Sequence, residues 1–223
     1  MATHSLPHAR LRIAIALAAI FLLTDCAQPT STRVDEPTRT GQPEISLPAG
    51  DVIAAASLRR RLKALSPSVR ADEAQRFAQC AYVTSRQLAR EYRVVFPPAL
   101  NNILVNTGAR KRGLCYQWTE DLMRRLDALK LETLELHWGE SFAGTFSENN
   151  GLVVTAKGQP FEQGIVLDAW RYQGRLFWAP LRADPEHYKW KENKAQYDRV
   201  LKTKAAQLTA GLISRDSAES PTQ

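Results

Sequence analysis

The sequence predicts an α+β domain: N-terminal helices and a cysteine-bearing helix packed on an antiparallel sheet of about four strands. Two observations carry that reading. Apolar residues recur at helical spacing through roughly residues 51–130, and from Leu131 onward the pattern changes to strand-like alternation and β-branched runs. Size is a third: 223 residues, 44% of them hydrophobic, supply one medium domain with its own core.

Residues 1–26 stand apart from that domain. His4, His8, Arg10 and Arg12 form a basic start, and Ile13–Leu23 (IAIALAAIFLL) is an eleven-residue apolar run. Such a run is too short for a mature membrane span and fits the hydrophobic region of a secretory signal peptide. Leu23-Thr24-Asp25-Cys26 resembles a bacterial lipoprotein signal, with Asp25 where that signal carries a small residue. The resemblance implies an exported protein, in the periplasm or held at the membrane by a lipid on Cys26. Ala27 after the cysteine implies the outer membrane.

Residues 27–50 carry Pro29, Pro37, Pro43 and Pro48 among Thr, Ser, Gln and Gly, the composition of a linker. The domain is expected over 51–213. Asp51 is placed to cap a first helix running to about Leu65, ended by Ser66-Pro67. A longer helix is expected over roughly 70–92, stopped before Pro97-Pro98. Ala99–Gly108 reads as mixed turn and short helix. The cysteine helix follows, from about Leu114 to Lys130, with Trp118, Leu122, Leu126 and Leu129 as its buried stripe. Strands are expected at 131–138, 151–156, 164–170 and 175–181, with Tyr172-Gln173-Gly174 as the hairpin turn joining the last two. Helical character returns over about 192–213, before a polar tail at 214–223.

The formal net charge is +7; loss of residues 1–26 removes two arginines and one aspartate and leaves +6. Much of it is local, in Arg59-Arg60-Arg61-Leu62-Lys63 and Arg110-Lys111-Arg112. Nucleic-acid binding calls for such patches on a known module with exposed aromatics between them, and none is visible. The charge suits anionic headgroups or wall polymer, or simply solvated helix faces.

Chemistry concentrates at Gly113-Leu114-Cys115-Tyr116-Gln117-Trp118. A helix start offers free N–H groups and a partial positive charge, both of which favour thiolate, so Cys115 is the candidate nucleophile. Val166-Leu167-Asp168-Ala169-Trp170 reads as a strand carrying an acid. Asp168 either orients a base or pairs with Arg171 or Arg175. His137, at the end of the first strand, is the candidate base. By alternation it points away from Leu134, Leu136 and Trp138, unless a bulge near Gly139 re-aims it; otherwise it is a strand-end histidine. A Cys80–Cys115 disulfide is the competing use of the cysteine. No zinc spacing, phosphate loop or serine elbow occurs, and no cofactor is expected. Trp118, Trp138, Trp170, Trp178 and Trp190 suit a core better than a ligand platform, although an aromatic groove for glycan or peptide is conceivable.

A cysteine opening a helix, then strands ending in one that bears Asp, resembles the papain-like/transglutaminase-like superfamily. The similarity covers about 108–181 and rests on Gly113–Trp118, Asn150–Ala156 and Val166–Arg171. It implies a cysteine hydrolase or acyl transferase acting on amide or isopeptide bonds, here in envelope proteins or peptidoglycan peptides. Cys115 would be nucleophile, His137 base and Asp168 orienter. In that superfamily the histidine opens the second strand, where this chain has Glu148-Asn149-Asn150-Gly151. Asn149 or Asn150 thus stands in the base position. An amide cannot take a proton from a thiol near neutral pH, so the other implication is an inactive relative serving as an envelope binding or scaffold protein.

Overall fold

A computed structural model describes residues 47–186 and 188–203. The signal segment, Cys26, His187 and the tail lie outside the described residues. Four helices come first: α1 (Ala49–Lys63), α2 (Ala71–Glu91), α3 (Pro98–Asn106) and α4 (Cys115–Asp127). The strands follow as β1 (Leu134–Ser141), β2 (Asn149–Ala156), β3 (Ile165–Asp168), β4 (Phe177–Pro180) and β5 (Lys191–Glu192). A fifth helix, α5, covers 194–203. The sheet is antiparallel with order β4-β3-β2-β1-β5, so the architecture is α+β with five strands rather than about four.

The helices cover one face of this sheet. Trp118, Leu122 and Leu126 of α4 join Leu136, Trp138, Leu152, Val154 and Leu167 in the main core, which extends through Phe77 and Leu88 of α2 to Leu58 and Leu62 of α1. Each such side chain gains about 1.5–3 kcal/mol from leaving water. The other face is not bare. Val153 and Val166 lie under Phe161, Phe177, Leu181 and Trp190, so every residue of β2 is buried. Gly139 and Gly151 face each other across β1 and β2, and Trp190 lies over them. A Cβ on Gly151 would fall 2.8 Å from Val166 Cγ2 and 3.1 Å from Trp190 Cη2, so glycine is required here for close approach.

Several boundaries differ from the sequence expectation for identifiable reasons. Asp51 does not cap α1, which begins two residues earlier behind Pro48; its carboxylate instead takes Arg86 Nε at 2.6 Å and Nη2 at 3.0 Å. β1 starts at Leu134 rather than Leu131. The backbone N–H groups of Glu132, Thr133 and Leu134 all donate to the buried Glu73 carboxylate at 3.0–3.1 Å, which takes these donors away from an earlier ladder. β3 and β4 are joined by residues 169–176 instead of a tight turn at 172–174, because Arg171 folds back onto Asp168.

Candidate functional site

The start of α4 is built around Gly113. Its φ of +139° suits glycine alone, and a Cβ there would lie 2.3 Å from Asn101 Nδ2. The Gly113 carbonyl accepts from Asn101 Nδ2 and Trp118 Nε1, both at 3.1 Å. Gln117 Oε1 turns back to accept from the N–H groups of Gly113 (2.7 Å) and Leu114 (3.0 Å). These contacts fix Cys115 as the first residue of the helix. The neighbouring basic run is largely consumed by structure. Arg112 pairs with Asp121 at 3.0 Å and Glu120 at 3.1 Å, and Asp121 also accepts a hydrogen bond from the Tyr92 hydroxyl. Arg110 donates to the Tyr92 carbonyl and to Asn101 Oδ1.

Two residues at the opening of β2 meet the sulfur. Asn150 Nδ2 donates to Cys115 Sγ at 3.6 Å, and the thiol donates to the Glu148 carbonyl at 3.8 Å. The Asn150 amide is itself fixed: its oxygen accepts from Trp138 Nε1 at 2.9 Å, and Nδ2 also reaches Glu148 Oε1 at 3.1 Å. The helix start predicted an acidified thiol. The structure reverses this, because burial pushes the Cys115 thiol up and the nearby Asp168 charge adds to it, outweighing the N–H donors of Asn150 and Tyr116. Glu148 was not singled out from the sequence, and no pattern there marks it. Its carboxylate is held beside the site by the Asn150 amide at 3.1 Å.

Asp168 occupies the end of β3 and is fully buried. It accepts from Asn149 Nδ2 at 2.8 Å, from Arg171 Nε at 3.1 Å and from the Arg171 backbone N–H at 3.0 Å. Arg171 continues to Asp184 through two bonds of 2.9 Å, with Phe177 and Tyr188 rings 4.0 and 4.8 Å from its guanidinium carbon. Burial alone would raise the Asp184 carboxyl, but hydrogen bonds from Arg171 and Trp190 outweigh it and hold the carboxyl below its ordinary range. Asp168 therefore does both things the sequence left open: it pairs with Arg171, and it orients a neighbour, which is an asparagine.

His137 is not brought to the cysteine. Its Nδ1 lies 2.8 Å from Glu192 Oε1 and its Nε2 2.9 Å from Thr155 Oγ1, with Phe161 against the ring. These partners belong to the face of the sheet away from α4. The β1–β2 ladder runs unbroken from Leu134↔Ala156 to Ser141↔Asn149, so no bulge re-aims His137, and it pairs with Val153 rather than with Asn149 or Asn150. The expected Cys115–His137–Asp168 relay is thus corrected to Cys115, Asn149, Asn150 and Asp168 around the opening of β2.

Strand alternation divides that group. Asn150 shares a face with Leu152 and meets the sulfur; Asn149 shares a face with Val153 and meets Asp168. Asn149 Oδ1 accepts from the Asn150 backbone N–H at 2.9 Å, which closes the link between the two. Cys80 is not bridged to Cys115; it is buried in α2, with its sulfur 3.8 Å from Thr84 Oγ1. Among the described residues no three His, Cys, Asp or Glu side chains are arranged to hold a metal ion. Compared with protein-family models, curated proteins and solved structures, the chain matches none.

Proposed function

We propose that this chain is an exported, membrane-anchored protein of transglutaminase-like ancestry whose cysteine site no longer performs acyl transfer. Its role is to bind or scaffold an envelope partner, either a protein or a peptidoglycan peptide. The carrying observation is the partner of the sulfur: an amide nitrogen of Asn150 stands where a base should stand, and that amide is locked by Trp138. Thiol acylation needs a proton acceptor within hydrogen-bond reach of the sulfur. Among the described residues no imidazole meets that condition. The Cys-then-acid order and the α4 geometry support the ancestry.

Alkylation of Cys115 by iodoacetamide, followed from about pH 5 to about pH 10, tests this reading. The expected rate at neutral pH is below that of a free cysteine and climbs about tenfold per pH unit until the ordinary thiol range is passed. His137→Ala should leave the profile unchanged. A fast plateau below about pH 7 would mean a thiolate–imidazolium pair, and with it an active cysteine hydrolase or transferase.

A further inference from the structure

Away from Cys115, a cleft of about 440 Å³ opens between the start of α1, Tyr82 of α2 and the start of β4. Its wall is aromatic. Tyr172 is exposed, Phe177 and Trp178 are half-buried, and Tyr82 lies at the floor. Trp178 Nε1 donates to Tyr82 Oη at 3.0 Å, so the phenol acts there as acceptor and keeps its own O–H to donate. The acid on this wall, Asp51, has both oxygens taken by Arg86. Arg175 is different. Among the described residues it makes no ion pair, and its guanidinium carbon lies 4.9 Å from the Tyr172 ring centre. Gly50 leaves the rim open, since a Cβ there would meet nothing within 4 Å.

An apolar ring surface, a buried hydroxyl donor and one uncompensated cation are the ingredients of a small-ligand site. We propose that this cleft binds a sugar ring carrying a carboxylate. The ring lies on Tyr172 and Trp178, its hydroxyls receive the Tyr82 O–H, and the carboxylate takes the Arg175 fork. A guanidinium that already rests flat on an aromatic ring is positioned for two parallel N–H···O bonds to such a group. The volume falls within the range of small-ligand pockets. The choice of glycan, rather than another organic acid, rests on the envelope reading above.

The test is an NMR titration of the full ¹⁵N-labelled chain with the disaccharide N-acetylglucosaminyl-N-acetylmuramic acid, and with neutral chitobiose as the comparison. Saturable shifts of the Gly50, Arg175 and Leu176 amides are expected with the acidic sugar. Arg175→Ala should weaken that binding about tenfold and leave the weaker chitobiose response unchanged. Tyr172→Ala should weaken both. Gly50→Leu, whose Cβ meets nothing within 4 Å and whose side chain narrows the rim, should weaken both as well. The proposal is overturned by absence of saturation up to about 10 mM, by indifference to Arg175→Ala, or by a proline-rich peptide saturating these amides while the sugar does not. Cys115→Ser should not alter the titration. Glycan binding and the thiol kinetics can therefore fail separately.

Discussion

At the opening of β2 the two faces of the sheet handle polarity in opposite ways. On the outer face Asp168, Arg171 and Asp184 form a charged cluster in which each carboxylate meets the guanidinium and Arg171 lies between two rings. On the helix side Cys115 and Asn150 form a neutral pair in which burial has pushed the thiol up. The contrast teaches that charge is kept in this interior where partners are already fixed beside it, a guanidinium at Asp168 and Asp184 and a set of N–H donors at Glu73. Among the described residues, a thiolate at Cys115 would have N–H donors but no cation beside it.

Breaking the charged side should cost most. Arg171→Ala strands two buried carboxylates and should lower unfolding free energy by about 3–5 kcal/mol, read as an earlier urea midpoint. A loss under about 1 kcal/mol would reduce the cluster to the rank of a surface pair. On the neutral side, Gly113→Ala meets both a positive φ and Asn101 Nδ2. It should cost about 2 kcal/mol in the same measurement, and would show no effect if the α4 start were loosely held.

Acid titration sharpens the same contrast. The Asp184 carboxyl lies lower in the folded chain than in the unfolded one, so its stabilisation is present above about pH 4 and is lost as pH falls through the folded value. Thermal melts from about pH 6 to about pH 2 should show that loss, and Arg171→Ala should flatten it. The smallest effect belongs to Cys115. Its thiol lies higher when folded, so the unfolded chain loses its proton first and stability declines as pH rises past about 8.5. Cys115→Ser should remove that alkaline slope. A slope unchanged by the substitution would place the titrating group elsewhere.

Much of the fold was legible because period is a direct record of burial. Phe77, Ala81, Thr84 and Leu88 mark α2, and Trp118, Leu122 and Leu126 mark α4, at spacings that the structure reproduces as buried stripes. The orientation of His137 away from Trp138 was legible in the same manner. β5 was not: Lys191–Glu192 is two residues long and joins the sheet through backbone pairing to Gly139 and Glu140, which leaves no apolar pattern. Arg171 was legible in part, as one of two partners offered for Asp168; its reach onward to Asp184 was not, since nothing local says that a charged residue after a strand will fold back into the interior. The fate of Asp51 failed for a related reason. A cap and a partner for a distant arginine look identical until α2 is placed beside α1. Gly139, read from the sequence as the place for a bulge, lies in an unbroken ladder opposite Gly151, and both glycines instead serve the close approach of Trp190.

The Arg171 clamp also bears on how such a chain can change over generations. Histidine introduced at Asn149 would meet Asp168 but not the sulfur; introduced at Asn150, it would meet the sulfur but not Asp168. Freeing Asp168 from Arg171 first would leave charge stranded, at a cost comparable to a large share of a domain's whole stability. On the reading proposed here, neither substitution alone completes a relay. Arg171 therefore works as a lock: while its guanidinium fills the space between Asp168 and Asp184, Asp168 stays committed to charge pairing and to Asn149.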